Sequence, residues 1–105
     1  MKQVDAQVTV AAPGRILVAS PMTFQTARRV CAAGIDCFVR DGSALVLVDC
    51  AGVAQADSAG LAVLIEWRRW AHQHGRQLNF ANLPPQISAI ARLSEISELL
   101  ADAAA

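Results

Sequence analysis

The residues best placed to do chemistry are Asp57-Ser58-Ala59-Gly60-Leu61, which follow the aliphatic run 44–48 and the pair Asp49-Cys50. A hydroxyl at this place would open a helix at the carboxyl end of a central strand, where open α/β sheets put their binding sites. Asp57 or Ser58 can cap unpaired helix amides, and the partial positive charge of a helix start favours an anion. Gly60 in the first turn costs roughly 1 kcal/mol against alanine, a penalty that makes sense where another group must approach the backbone closely. On spacing alone, an Asp-Ser pair ahead of a helix is first of all a cap, and both readings stand at this point.

Little else assembles into a reactive group. His72 and His74 are two apart on a helix, do not face each other, and lack metal-ligand spacing. Three cysteines, Cys31, Cys37 and Cys50, with no Cys-x-x-Cys pair suit neither a disulfide framework nor a zinc site, and are expected to be buried, reduced and inert. No phosphate-binding Gly-rich loop is present, since the only lysine is Lys2, and Ser58 lacks a nucleophile elbow. Glu95 and Glu98 read as a solvated face. The expectation is a protein with no catalytic residues, metal or cofactor.

Composition narrows the class further. Nine basic and nine acidic residues in 105 cancel, so no polyanion footprint supports nucleic-acid binding. With 54% hydrophobic residues the chain is not disordered, and its length fits one domain spanning 1–105. No apolar run approaches the ~20 residues of a membrane span, and the polar first residues do not resemble a secretory signal. A cytoplasmic protein without direct membrane insertion is expected.

The elements that must position Ser58 follow from periodicity. Val4, Ala6, Val8 and Val10 alternate as a strand; Pro13-Gly14 turns the chain; Ile16, Leu17 and Val18 resume it, giving an antiparallel hairpin. Phe24, Ala27, Val30 and Cys31 recur at helical spacing with Gly34 as the stop. Residues 44–50 predict a central strand covered on both faces. A long helix is predicted from 57–58 to about 74 with Gly75 beyond it, then a strand over 77–81. Pro84 and Pro85 open another helix, with Ile87, Ile90, Ala91 and Ser94 inside, and 98–101 adds a last turn. The fold class is α/β: a mixed sheet with an N-terminal hairpin and parallel βαβ units, and about four helices on one or both faces.

On the long helix, Leu61, Leu64, Ile65 and Ala71 form the apolar arc, which Val63, Trp67 and Trp70 widen past what covering a sheet needs. Trp67 reads as core. Trp70 is open between two readings: a core-edge indole, or an aromatic bordering a partner surface.

Residues 45–100 resemble the STAS domain of anti-sigma-factor antagonists, on Leu45-Val46-Leu47-Val48-Asp49-Cys50, Val53, Asp57-Ser58-Ala59-Gly60-Leu61 and Leu64. Glu66-Trp67, Ala71, Gly75, Leu78-Asn79-Phe80, Asn82-Leu83-Pro84, Ile90-Ala91-Arg92-Leu93 and Leu99-Leu100 are similar to the MlaB-like branch, as is the helix lead-in Ser20-Pro21-Met22-Thr23-Phe24, where Ser20 replaces the usual glycine. That resemblance implies a non-catalytic STAS subunit that binds and supports the ATPase of an Mla-type phospholipid ABC transporter maintaining outer-membrane lipid asymmetry. It would sit in the cytoplasm, held at the inner-membrane transporter through that ATPase. The resemblance puts Ser58 and the helix after it in the ATPase-facing surface, and with the reading of the residues above the expected partner-binding set is Asp57, Ser58, Ala59, Gly60, Val63 and Trp70. The alternative is an anti-sigma-factor antagonist whose kinase partner phosphorylates Ser58 to switch partners. A small-molecule or nucleotide module is a third class, because a helix start can hold phosphate.

Overall fold

A computed structural model of the protein describes residues 7–93. The Pro13-Gly14 turn joins β1 (Val8–Ala12) and β2 (Arg15–Val18) into the expected antiparallel hairpin. Gly14 adopts a φ of 75°, a left-handed conformation that glycine takes without steric cost. There follow α1 (Ala27–Asp41), β3 (Leu45–Asp49), α2 (Ser58–Gln73), β4 (Gln77–Ala81) and α3 (Pro85–Leu93). The sheet order is β1-β2-β3-β4, with β2–β3 and β3–β4 parallel. Parallel neighbours need a long crossover, and α1 and α2 supply the two. The mixed sheet with hairpin and βαβ units is as expected. Three helices rather than about four are present among the described residues. The last turn at 98–101 lies outside them, as do Val4, Ala6, Ser94, Glu95 and Glu98.

The aliphatic run of β3 predicts burial on both faces, and here the structure differs. Ile16, Val18, Val46, Val48, Leu78 and Phe80 are buried on one side of the sheet, whereas Leu17 and Leu45, on the other, are 37% and 55% exposed. Side chains alternate across a strand, so a continuous apolar run does not by itself say which face is covered. The open face is organised by Asp49, whose carboxylate accepts from Arg15 Nη2 (2.9 Å), Ala51 N (2.9 Å) and Asn82 Nδ2 (3.0 Å). One side chain thereby ties β2 and β3 to the loop after β4.

The first helix also departs from expectation. It starts at Ala27 rather than Phe24, behind a turn in which Thr26 Oγ1 donates to Pro21 O at 2.6 Å and accepts from Thr23 N at 3.0 Å. It then continues through Gly34 and stops at Gly42, which has a φ of 74° and donates its N–H to Phe38 O. The left-handed glycine cap is present, but at the second glycine. Gly34 is instead where α1 meets Trp67: a Cβ there would lie 2.3 Å from Trp67 Cζ2. Trp67 is fully buried, its Nε1–H donates to Cys31 O at 3.0 Å, and Phe38 meets it edge-on at 5.5 Å. Of the cysteines, Cys37 and Cys50 are buried but Cys31 is only half-buried, because its side of α1 is left partly open.

Two outcomes follow for stability. Gly34→Ala should destabilise the fold by about 1–3 kcal/mol through overpacking, although alanine favours helix by about 1 kcal/mol; a urea titration that shows stabilisation would contradict the Trp67 contact. Hydrogen bonds from Asn82 and Ala51, with Arg15 close by, hold the Asp49 carboxyl below the usual carboxylate range, and the Gly14 N–H, aided by Ser43 and Arg76, does the same for Asp41. Lowered folded-state values mean that this stability is present above about pH 4, the ordinary range, and is lost as pH falls through the depressed values. The destabilisation caused by Asp49→Asn should therefore be largest near neutrality and shrink on acidification; a difference in urea midpoint that stays constant down to about pH 3 would contradict it.

Candidate functional site

The start of α2 is clamped to the segment between β2 and α1. Met22 N donates to Gln55 O at 2.8 Å and Asp57 N to Met22 O at 3.1 Å, a parallel bridge between Met22 and Ala56. The Asp57 carboxylate closes the clamp. Its Oδ1 accepts from Ala59 N at 2.8 Å as the helix cap, and its Oδ2 accepts from Phe24 N at 3.2 Å. Asp57 is thus the cap, and Ser58 is not. Among the described residues nothing hydrogen-bonds the Ser58 hydroxyl, and the residue is exposed.

Gly60 is explained by the chain's own crossing. A Cβ there would lie 2.4 Å from Met22 O and 2.9 Å from Met22 Cβ, and Gly60 itself is buried. The close approach that its type signals is intramolecular, so Gly60 shapes the site without offering surface to a partner. Val63 is also buried, at 4% exposure. Asp57, Ala59 and Val63 remain grouped near Ser58, the first two half-buried and Val63 in the floor of a groove.

That groove is shallow, about 580 Å³, and runs between α1 and α2. Ala59, Ala62, Val63 and Glu66 line it from α2, and Ala27, Arg28, Cys31, Ala32 and Ile35 from α1. Its lining is almost wholly apolar and mostly small, with one charge of each sign from Arg28 and Glu66. Burial, and secondarily Glu66, push the Cys31 thiol up, which keeps it protonated and poorly nucleophilic. As site residues, the α1 wall and Phe24 are not legible in the sequence. Phe24, 76% exposed, is held beside the start of α2 by its N–H to the Asp57 carboxylate. The signal for the wall was Ala27, Cys31 and Ile35 at helical spacing, which reads as core until their exposure is known.

Trp70 does not line this groove. It lies one turn past Glu66, packed on Phe38 at 5.5 Å, stacked by His74 at 4.2 Å, with Arg76 over its ring at 5.2 Å. These contacts favour the core-edge reading. His74 uses Nδ1 on Trp70 O at 2.8 Å, and His72 is exposed on another side of α2. No group of three or more His, Cys, Asp or Glu side chains among the described residues is placed to hold a metal ion. No helix among them is long and apolar enough to cross a membrane.

The candidate site thus combines a one-sided α/β layer, a helix start clamped by an Asp, an exposed serine beside it and a small-residue groove alongside. The chain belongs to the STAS family: the family described as "Mlab, STAS domain" matches residues 3–101. No curated protein matches the sequence significantly. Among solved structures, a Thermotoga maritima protein assigned as an anti-sigma factor antagonist superposes with a TM-score of 0.70 at 11% identity, covering 90% of this chain and 82% of that one. The anti-sigma factor antagonist SpoIIAA, in its unphosphorylated form, gives 0.68 at 11% identity over 93% and 87%. The murine anion transporter Slc26a9 gives 0.61 at 22% identity over 83% of this chain but only 14% of the transporter. These likenesses show the fold.

Losing the cap and losing the hydroxyl should have different consequences. Asp57→Ala should destabilise by about 1 kcal/mol, whereas Ser58→Ala, which removes no hydrogen bond, should leave the melting curve essentially unchanged. Equal losses in thermal unfolding would mean that Ser58 shares the cap.

Proposed function

We propose that this chain is a non-catalytic binding subunit that docks through the α1–α2 groove and the start of α2 onto the ATPase of an Mla-type ABC transporter, supporting phospholipid transport from the cytoplasmic side. The observation that carries the docking reading is the groove itself. Small side chains on two adjacent helices let a partner helix approach closely, since interaxial distance is set by the side chains at the contact. The choice of an ATPase rests on the resemblance to the MlaB-like branch, and the exposed Ser58 and Phe24 stand at the start of α2, next to the groove-lining Ala59. In this reading Asp57 and Gly60 build the site, while Ser58, Ala59, Ala62 and Phe24 meet the partner.

A second reading is partner switching by phosphorylation of Ser58, with an anti-sigma-type kinase as partner. The exposed, unbonded hydroxyl at a helix start favours it, as does the shared fold with SpoIIAA. A phosphate there would add roughly −1.5 to −2 charges, welcomed by the helix dipole but set beside the Asp57 carboxylate. In a desolvated apolar groove the same charge would oppose docking.

Affinity capture from cell extract decides between them. An ABC ATPase is expected in the eluate, with Ser58→Glu and Ala62→Arg each weakening its affinity about tenfold or more, or about 1.4 kcal/mol. Trp70→Ala should lower thermal stability and leave the affinity of the folded fraction near that of the parent. Recovery of a kinase that labels Ser58, with labelling lost in Ser58→Ala, supports the second reading; an ATPase bound equally by Ala62→Arg would contradict docking in the groove.

A further inference from the structure

The α1–α2 groove carries one charge of each sign, and the two do not neutralise each other. Arg28 is exposed on the α1 wall, and among the described residues its guanidinium makes no hydrogen bond or ion pair. Glu66, on the α2 wall, reaches Arg69 of its own helix at 3.7 Å, both side chains being well exposed. Such a surface pair contributes little. Glu66 also stands close to Cys31, where its charge is the second influence, after burial, that raises the thiol. Both helices are crossovers between parallel strands, so they run in the same direction. Gly34 abuts the Trp67 ring, and Trp67 Nε1 reaches Cys31 O, which sets residues 31–34 of α1 beside this part of α2. Arg28 comes one turn before Cys31. The basic group therefore lies about one turn nearer the helix starts than the acidic one.

A helix docked in the groove removes both charges from water. A charge left unpaired in such a place is far more costly than a neutral polar group, and only an opposite charge from the visitor offsets it. We propose that the groove selects and orients its partner helix by charge. That helix has a small-residue face, with an acidic side chain set against Arg28 and, about one turn further from the α1 and α2 starts, a basic side chain set against Glu66. The inference rests on the proposed docking of an ATPase in this groove, and it adds the chemistry by which the docking helix is recognised. Small walls on α1 and α2 let a helix come close but would accept it in either direction. The charges remove that ambiguity, because a helix laid in reverse puts like against like at both positions and is rejected. Glu66 gives up only a weak surface contact with Arg69 when the visitor arrives.

Affinities of the whole chain and its charge variants for the captured ATPase test this. Arg28→Glu and Glu66→Lys are each expected to weaken binding about tenfold or more. Arg29→Glu, next along α1 but outside the groove lining, should change it less than about twofold. Reversing one acidic residue of the ATPase to lysine should recover the Arg28→Glu loss, and reversing one basic residue of the same ATPase helix to glutamate should recover the Glu66→Lys loss. Arg28→Gln and Glu66→Gln, expected to weaken binding severalfold, replace any reversal whose melting curve shows that it does not fold. Parental affinity in both reversals, with Ala62→Arg still disruptive, would overturn the charge selection and leave groove docking standing. Undiminished binding of Ala62→Arg would overturn both. An Arg29→Glu loss as large as that of Arg28→Glu would reduce the effect to net charge and overturn the proposal. If capture returns a kinase instead, the ATPase reading fails, and the same variants measured on that kinase decide the charge selection.

Discussion

The spacing of α1 and α2 depends on one contact, the Trp67 indole seated where Gly34 has no side chain. A large aromatic ring can be fully buried between two helices only if the facing residue gives up its volume, since interiors are packed to crystal-like density. Trp67 then satisfies its N–H on the Cys31 carbonyl and meets Phe38 edge-on. With that separation set at mid-helix and Met22 clamped against Gly60 at the start of α2, the surfaces on either side are determined. Small residues leave an open trough along one line of the pair. The same rigid helix then carries Arg68 over Phe80 on its far side.

The long second helix consequently has three environments along one cylinder. Leu61, Leu64, Trp67 and Ala71 face the core; Ala59, Ala62 and Glu66 face the groove; Arg68 and His72 line a small cavity against β4. An apolar arc wider than sheet coverage requires is the sequence trace of this. Asp57 makes the arrangement usable, because one carboxylate both caps α2 and holds the Phe24 segment, leaving the neighbouring serine unengaged.

Much of this could be read in advance. The hairpin, the central strand, α2 with its glycine stop and the strand over 77–81 all followed from periodicity and turn residues. The misread features share one physical origin: residue type reports a demand without saying who makes it. Gly34 looked like a helix stop but makes room for Trp67, and Gly60 looked like room for a visitor but accommodates Met22. The aliphatic run of β3 reads as covered on both faces, but tertiary packing covers it on only one. The α1 wall of the groove was invisible for the complementary reason. Ala27, Cys31 and Ile35 have core-like types, and only the three-dimensional placement of α1 beside α2 leaves them partly open.

Amide hydrogen exchange of the chain alone and in complex with its captured ATPase tests the docking surface most directly. Protection gained over residues 23–35 and 58–66, with the strand amides and the Arg76 region unchanged, is the result this account requires. Protection confined to the open sheet face around Leu17 and Leu45, with the α1–α2 segments exchanging as before, would contradict it.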